Sequence, residues 1–394
     1  MIYHSFKDIQ LPALGFGTMR MPSLPDGEPD QDKINELVDY ALANGINYFD
    51  TALPYQDQKG ETAVGKALAR HPRDSWYLAD KFPGHQVVGS LDIPLEETFR
   101  EQLAKCGVDY FDFYLLHNVN EHSLEYYMDR KRGCIDYFLK QKELGRIKYF
   151  GFSCHAAPES LRRFLEEFGD AMDFCQIQLN YLDWELQDAK QKVEILREFH
   201  IPVWVMEPVR GGKLAKLDAE TEAKMRVLRP EESTPAWAFR WLQTVPQPTV
   251  VLSGMSNLAQ IKDNVKTFSE EKPLNGEEIE LLYSAAAKLH SFIPCTGCRY
   301  CVAGCPQKLN IPLLISFCND QRVHDSVNTV IRYASLGDRT AEACIGCGKC
   351  ARACPQKIDV PGAMKELASI MEKKQTWEQI CIQRETARKA LEQG

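Results

Sequence analysis

The amino-acid sequence predicts an α/β fold, a (β/α)8 TIM barrel followed by a smaller, mostly helical and cysteine-rich domain. Three observations favour this fold. Short apolar segments alternate with amphipathic stretches from Leu14 to about Asn264, as in a parallel sheet surrounded by helices. The eight units occupy about 250 residues, the usual size of such a barrel. Eight of the 14 cysteines fall in two short runs near the C-terminus.

Eight strands are recognisable as apolar runs, and several are apolar throughout, as expected for strands buried on both faces. They are LGFGTM from Leu14, NYFDTA from Asn47, WYLADK from Trp76, FDFYLLH from Phe111, IKYFGFS from Ile147, FCQIQLN from Phe174, IPVWVMEP from Ile201 and PTVVLSGM from Pro248.

Helical patterns lie between the strands. DKINELVDYALANG is one of them, with Asp32 as its predicted N-cap and Gly45 as its stop. A doubly wound sheet is the main alternative, because GFGTMR after the first strand begins like a dinucleotide-binding fingerprint. Arg20 replaces the third glycine of that fingerprint, which favours the barrel.

We predict a barrel domain over residues 1–275, a linker helix over 276–290 and a second domain over 291–394. The second domain contains an internal repeat, in which CPQKLNIP from Cys305 recurs as CPQKIDVP from Cys354. Asn310 and Asp359 are suited to opening the helix after each copy. Residues 311–336 between the copies show helical periodicity.

Each copy of the repeat ends a cysteine run with the C-x2-C-x2-C-x3-C-P spacing of bacterial ferredoxins, which predicts two 4Fe-4S clusters. In two-cluster proteins the fourth cysteine of a run crosses to the other cluster. The predicted ligand sets are therefore Cys295, Cys298, Cys301 and Cys354 for one cluster, and Cys344, Cys347, Cys350 and Cys305 for the other. Structural zinc is the alternative, but it usually takes paired C-x2-4-C knuckles.

The remaining cysteines are predicted to be packing residues. They are Cys106, Cys134, Cys154 and Cys175 in the barrel, and Cys318 and Cys381 in helical patterns.

Four polar residues follow or end the second, third and fourth strands: Asp50, Tyr55, Lys81 and His117. In a TIM barrel these strand ends meet at one mouth, where the chemistry lies. A Lys81 ammonium close to the Tyr55 phenol would lower its pKa, and Asp50 would hold the lysine by an ion pair. His117 would hydrogen-bond a substrate carbonyl. Together they predict reduction of a carbonyl by hydride.

The segments FDTALPY, LADK and FYLLH resemble the aldo-keto reductases, and the resemblance covers roughly residues 1 to 290. It implies that Tyr55 is the general acid, that Lys81 and Asp50 tune it, and that His117 orients the substrate. It also implies a nicotinamide cofactor bound through the later strands. The residues at matching positions are Ser153, Gln176, Glu207, Gly211, Gly212, Gln260 and Asn264.

Two departures from the family pattern affect the cofactor. Cys154 replaces the asparagine that usually follows the matching serine. Gly254 and Gln260 stand where members that prefer NADP carry Lys and Arg, so a 2'-phosphate loses its best partners. NADH is therefore favoured over NADPH, although Lys262 could substitute for the missing cations.

We expect an oxidoreductase that interconverts a small-molecule carbonyl and alcohol, with clusters that exchange electrons with an electron-carrier protein. A hydride carries two electrons and a cluster takes one, and coupling the two normally requires a flavin. One alternative is a carbonyl reductase with purely structural clusters. Another is a non-catalytic nucleotide-binding redox sensor.

Composition excludes several other classes of protein. The chain has 394 residues, 44% of them hydrophobic, and a net charge of -8, and it contains no dense basic patch that would indicate nucleic-acid binding. Neither a signal peptide nor an apolar run of about 18 residues is present, so we expect a cytoplasmic protein without a membrane span.

Overall fold

The computed structural model describes residues 1–86, 93–288, 293, 295, 300–323, 326–354 and 358–392. The chain forms two compact units. The first contains Met1–Leu281 together with Arg384–Gly394, and the second contains Leu282–Gln383. The first unit is thus assembled from two separate parts of the sequence.

The first unit contains the predicted barrel. Its strands are β3 Leu14–Gly17, β4 Tyr48–Asp50, β5 Tyr77–Phe82, β6 Phe111–Val119, β7 Ile147–Cys154, β8 Cys175–Gln178, β9 Val203–Met206 and β10 Pro248–Ser253. Each strand pairs in parallel with the next, and β10 pairs with β3 to close the barrel. Closure excludes the doubly wound alternative, and all eight predicted strands are confirmed.

An antiparallel hairpin of β1 (Tyr3–Phe6) and β2 (Ile9–Pro12) precedes the barrel, where we had predicted no element. The Phe6 ring packs edge to face against Trp204 at 4.9 Å and against Tyr149 at 5.1 Å between ring centroids. Both partners lie near the starts of their strands, so the hairpin covers the N-terminal end of the barrel. The opposite end is left for the predicted catalytic residues.

Helices surround the barrel and follow the strands. Those of the first unit are α1 Gln31–Ala43, α2 Gly60–Leu68, α3 Leu95–Cys106, α4 Leu124–Met128, α5 Cys134–Glu143, α6 Pro158–Phe168, α7 Asp183–Leu186, α8 Ala189–Glu198, α9 Ala219–Leu228, α10 Thr234–Leu242 and α11 Leu258–Thr267. The carboxylate of Asp30 caps α1 by accepting from Lys33 N at 3.2 Å, so the prediction of Asp32 as the cap was wrong by two residues.

The second unit is helical, as predicted. The helix α12, Gly276–Lys288, leads from the first unit into it, and the others are α13 Tyr300–Ala303, α14 Ile311–Val323, α15 Val327–Ala334, α16 Lys349–Ala353, α17 Val360–Glu372 and α18 Trp377–Glu392, which ends in the first unit. Asp359 caps α17 through Gly362 N at 3.1 Å. Its counterpart Asn310 buries Oδ1, which meets no donor among the described residues.

No helix within the described ranges has both the length and the apolar character needed to cross a bilayer.

Candidate active site and cluster sites

Three of the four predicted catalytic residues lie on neighbouring strands. Asp50 ends β4 and is in register with Ala79 of β5, while Lys81 of β5 is in register with Leu115 of β6. His117 follows two residues later in β6. Because the strands are parallel, all three side chains come from the C-terminal end of the barrel. Tyr55 lies in the loop between β4 and α2.

The Lys81 ammonium connects Asp50 to Tyr55. Its Nζ donates to Asp50 Oδ1 and to the Thr51 carbonyl, both at 2.6 Å, and lies 3.4 Å from Tyr55 Oη. The lysine is 1% exposed. Burial alone would lower the pKa of Lys81, but Asp50 and Tyr55 outweigh it and hold that pKa above its ordinary value. Lys81 is therefore a charged residue fixed beneath the phenol.

Burial raises the pKa of Tyr55 more than the Lys81 ammonium lowers it, and Asp50 adds to the increase. The contribution of Lys81 has the predicted sign, but the net shift is opposite to the one expected from the sequence. Tyr55 therefore keeps its proton at neutral pH. A phenol that stays protonated, next to a fixed ammonium, is suited to donate a proton rather than to accept one.

His117 faces a second histidine that sequence analysis did not identify. The rings of His117 and His85 are 4.5 Å apart between centroids, and the Tyr55 ring lies at 6.3 Å from that of His117 at an angle of 90°. Burial, reinforced by nearby positive charges, lowers the pKa of both histidines well below the ordinary value. Both are neutral near pH 7, so each ring carries one N–H. The His85 ring already bonds the His117 backbone, which leaves His117 as the histidine suited to donate to a substrate oxygen.

His85 could have been found from its position, because it follows Lys81 by four residues at the same end of the barrel. A tyrosine fixes its backbone. Tyr127 Oη accepts from His85 N at 3.1 Å and donates to the His117 carbonyl at 2.7 Å. One hydroxyl thus holds the segments that carry both histidines together.

Ser153 and Gln176 lie side by side, in register on β7 and β8, as the predicted nicotinamide site requires. Ser153 Oγ accepts from Asn118 N at 2.7 Å, which leaves its own hydroxyl proton available. Gln176 Oε1 is buried, and no donor among the described residues reaches it. Buried polar atoms are normally paired, so an amide donor from a bound cofactor would fit this position.

The loop after β9 brings Glu207, Gly211 and Gly212 together with Arg20. Gly211 and Gly212 have φ angles of 62° and 93°, which glycine adopts without strain. Glu207 Oε1 lies 3.5 Å from Arg20 Nη1. Around Gly212 no described atom lies within 4 Å of where a Cβ would be, so a ligand can approach the backbone closely. Arg210 anchors the loop through Asp183, with Nε 3.0 Å from Oδ1.

Gln260 and Asn264 lie on α11, but the structure does not bring both to an open surface. Gln260 Oε1 accepts from Ser256 N at 2.7 Å, so this side chain folds back over the start of its helix. Asn264 is buried and donates to Ser253 Oγ at 3.0 Å. Gln260 is exposed with its Oε1 already bonded, whereas the Asn264 amide is buried, and the predicted contacts with adenosine remain predictions.

One predicted cluster site forms a cavity in the second unit. Its volume is only about 20 Å³, and the residues that line it include Cys305, Cys344, Cys347 and Cys350. These are the four cysteines predicted to share one cluster, and Cys305 comes from the other run, as the crossover requires. Apolar residues such as Leu309 and Met364 complete the lining, and Cys347 remains exposed.

The other predicted set is described only in part. Cys295, Cys301 and Cys354 pack against the same hydrophobic core, whereas Cys298 lies outside the described residues. Within the described part of the chain, no three His, Cys, Asp or Glu side chains are grouped closely enough to hold a single metal ion. The cysteines predicted as packing residues are all buried: Cys106, Cys134, Cys154, Cys175, Cys318 and Cys381.

Comparison with known proteins identifies both regions. A family model described as the aldo/keto reductase family matches residues 13–287, and one described as a 4Fe-4S dicluster domain matches residues 294–358. The chain resembles an uncharacterized oxidoreductase, YqkF, of Bacillus subtilis, with 24% identity over 71% of this chain and 94% of that protein.

Two further comparisons agree on the barrel. The NADH-specific methylglyoxal reductase of Escherichia coli is 23% identical over 66% of this chain and 91% of its own length. The holo form of aldo-keto reductase AKR11C1 from Bacillus halodurans superposes with a TM-score of 0.57 at 24% identity, covering 72% of this chain and 96% of that structure.

Proposed function

The chain belongs to the aldo/keto reductase family and carries a 4Fe-4S dicluster domain, and from this premise we propose that it interconverts a carbonyl and an alcohol by hydride transfer from or to a nicotinamide. The observation that carries the proposal is the position of Lys81 Nζ, 2.6 Å from Asp50 and 3.4 Å from Tyr55. This arrangement supplies a proton donor at the barrel mouth, where a carbonyl oxygen would need one.

In the reductive direction, the residues of the chain act on the carbonyl oxygen. Neutral His117 donates a hydrogen bond that orients the carbonyl and stabilises the charge that develops on its oxygen, and the His85 ring packs against His117 and bonds its backbone. Tyr55 Oη gives up its proton to that oxygen, and the Lys81 ammonium stabilises the phenolate left behind. Bound reduced nicotinamide would supply the hydride, with its two electrons, to the carbonyl carbon. Solvent then restores the proton of Tyr55.

Ser153 and Gln176 are suited to hold the carboxamide of the nicotinamide, and the loop with Gly211 and Gly212 its pyrophosphate. We propose NADH as the preferred cofactor, because Gly254 and Gln260 provide no cation for a 2'-phosphate. A similar protein of Escherichia coli is described as NADH-specific, which supports this preference. Comparing the initial rates with NADH and NADPH tests it.

The test of the reaction is the anaerobic full-length protein, its cluster content verified, assayed for NADH and NADPH oxidation at 340 nm against a panel of aldehydes and ketones. Replacing Tyr55 by Phe removes the proposed proton donor, and we expect kcat/KM to fall by about 10²- to 10⁴-fold. Tyr3→Phe, which alters a tyrosine hydroxyl at the opposite end of the barrel, is the matched control.

Undiminished reduction in Tyr55→Phe would show that another group donates the proton. A wild-type protein that binds dinucleotides but reduces no carbonyl would instead support the non-catalytic sensor.

We further propose that two clusters, one of them in the cavity lined by Cys305 and Cys344, exchange electrons with an electron-carrier protein. Four cysteine sulfurs around one cavity support the cluster itself, and each cluster takes one electron at a time. Two reduced clusters supply the two electrons of one hydride. Clusters reduced with dithionite should therefore be reoxidised when a carbonyl substrate, oxidised nicotinamide and a flavin that pairs the electrons are present together. Clusters that stay reduced would favour a structural role, in which they only hold the second unit together.

A further inference from the structure

The C-terminal helix brings an arginine to the barrel mouth. Residues 384–394 belong to the first compact unit although residues 282–383 separate them from it in sequence. The carbonyl oxygen of Arg384 accepts a hydrogen bond from Gln58 Nε2 at 3.0 Å. Gln58 follows Tyr55 by three residues, so Arg384 lies beside the loop that carries the proposed proton donor.

The loop after Tyr55 has an unusual backbone. Hydrogen bonds to one residue from the N-terminal region and one from the C-terminal helix hold it in place. Gln56, Asp57 and Gln58 have φ angles of 49°, 51° and 69°, the left-handed region that is unfavourable for residues other than glycine. Gln56 Nε2 donates to the Met21 carbonyl at 2.7 Å, as Gln58 does to Arg384. Because hydrogen bonds hold the loop on both sides, the Arg384 backbone stays close to the segment that carries Tyr55.

The charges that reach the two histidines are positive. After burial, the charge of Arg384 is the largest influence that lowers the pKa of His85, and it also lowers that of His117. His155 acts on both in the same direction, and Lys81 acts on His117. Arg384 is half-buried, and its backbone is fixed beside the loop that carries Tyr55. Arg384 and Lys81 supply positive charge there, whereas Asp50 and Glu207 are the negative groups that raise the pKa of Tyr55.

We propose that Arg384 binds an oxyanionic group of the substrate, which makes the substrate class an oxo acid or another carbonyl compound with a carboxylate or phosphate close to the reacting group. The inference rests on the proposed function and names the substrate class of that same site. A guanidinium can bind either group through two parallel hydrogen bonds, and it stays charged at every physiological pH. Neutral His117 then binds the carbonyl oxygen, and Arg384 binds the anionic group.

The test compares charged and neutral members of two substrate pairs in the full-length protein with its clusters intact. The pairs are 4-oxobutanoate with its methyl ester, and glyceraldehyde 3-phosphate with glyceraldehyde, so that they separate a carboxylate from a phosphate. Arg384→Gln should lower kcat/KM about 10- to 100-fold for the charged member of the preferred pair only, the usual loss for a hydrogen bond to a charged group. Arg384→Lys should retain part of the preference.

Lys389→Gln is the matched control, because it removes an exposed cation of the same helix, paired with Glu385 at 3.6 Å. It should leave the preference unchanged. Equal losses for charged and neutral substrates in Arg384→Gln would assign the residue a structural role and overturn the proposal. So would a wild-type preference for the neutral member of both pairs.

A binding measurement separates this proposal from the proposed function. Succinate and its diamide, neither of which can be reduced here, are titrated into the wild type and Arg384→Gln and followed by calorimetry. Succinate should bind the wild type at least about 10-fold more tightly than it binds the variant. If no carbonyl is reduced by any form, the proposed function fails while this titration still decides the role of Arg384. Equal affinities for succinate would refute that role.

Discussion

The protonation state of Tyr55 follows from two opposing effects within a few ångströms. Lys81 lowers the pKa of the Tyr55 phenol, but burial raises that pKa by a larger amount. The sequence identified both residues from their positions at strand ends, but it could not give the net sign, because the depth of burial depends on the packing of the loop. The proposed role of proton donor in reduction requires the protonated form, which burial favours.

His85 and His117 should make the stability of the barrel depend on pH. Burial depresses the pKa of both in the folded state, whereas the unfolded chain binds protons near pH 6.5. Their contribution to stability is therefore complete above about pH 6.5 and is lost as the pH falls below it. Between pH 7.5 and 5.5, we expect His85→Gln to lose about 1 kcal/mol less unfolding free energy than the wild type.

Urea unfolding followed by tryptophan fluorescence provides the measurement, because five of the six tryptophans lie in the barrel region. If the wild type and His85→Gln lose the same free energy between the two pH values, His85 is not held neutral by the fold.

At the level of whole elements, buried strands were the most predictable part. Most residues of the barrel strands are apolar, and the observed bounds lie within three residues of the prediction at the ends of β3, β8, β9 and β10. The hairpin of β1 and β2 was missed because its four-residue strands carry mixed polar and apolar side chains. The position of the hairpin depends on Phe6, whose packing partners come from separate barrel strands, so a local sequence pattern does not indicate it. The sequence also provided no basis for placing Arg384 beside the Tyr55 loop, because that position depends on how the last helix packs within the first unit.

The crossing of α2 and α3 depends on a glycine. A Cβ at Gly65 would lie 2.4 Å from the Cys106 carbonyl oxygen and 2.8 Å from its Cα, and neither backbone atom can move aside freely. Gly65→Ala should therefore destabilise the barrel by about 1–3 kcal/mol. Because α2 begins five residues after Tyr55, we also expect a lower kcat/KM.

Gly276→Ala is the control, since no described atom lies within 4 Å of the added Cβ, and a change within about 0.5 kcal/mol is expected. Urea unfolding of both variants measures the effect. Equal stability of the two variants would show that α2 can shift at no cost.

At the scale of the whole molecule, the cysteine spacing predicted the cluster ligands more completely than the barrel sequence predicted its own active-site residues. A run of three cysteines fixes one cluster face, so the ligand sets could be deduced before any contact was known. The cavity that contains Cys305 beside Cys344, Cys347 and Cys350 agrees with the deduced set. The assignment of ligands to each cluster remains a prediction that iron content can test.

Double variants test the crossover. Cys305→Ser should leave about four of eight iron atoms, because one cubane loses a ligand. Combining it with Cys347→Ser should lower the iron content no further, since both serve the same cluster, whereas combining it with Cys301→Ser should abolish both clusters. Iron and sulfide analysis of anaerobic protein gives the counts, and Cys318→Ser is the control.

If the pair Cys305→Ser and Cys301→Ser retained one cluster while the pair with Cys347→Ser retained none, each run would supply all four ligands of its own cluster.

The first unit combines residues 1–281 with residues 384–394, so its two parts are synthesised at different times. A ribosome completes the eight strands long before it reaches Arg384, and it must first translate the entire cysteine-rich segment. If the barrel closes before synthesis is complete, its mouth still lacks Arg384 at that stage. Synthesis that stalls before residue 384 would release a reductase without its proposed means of recognising an anion.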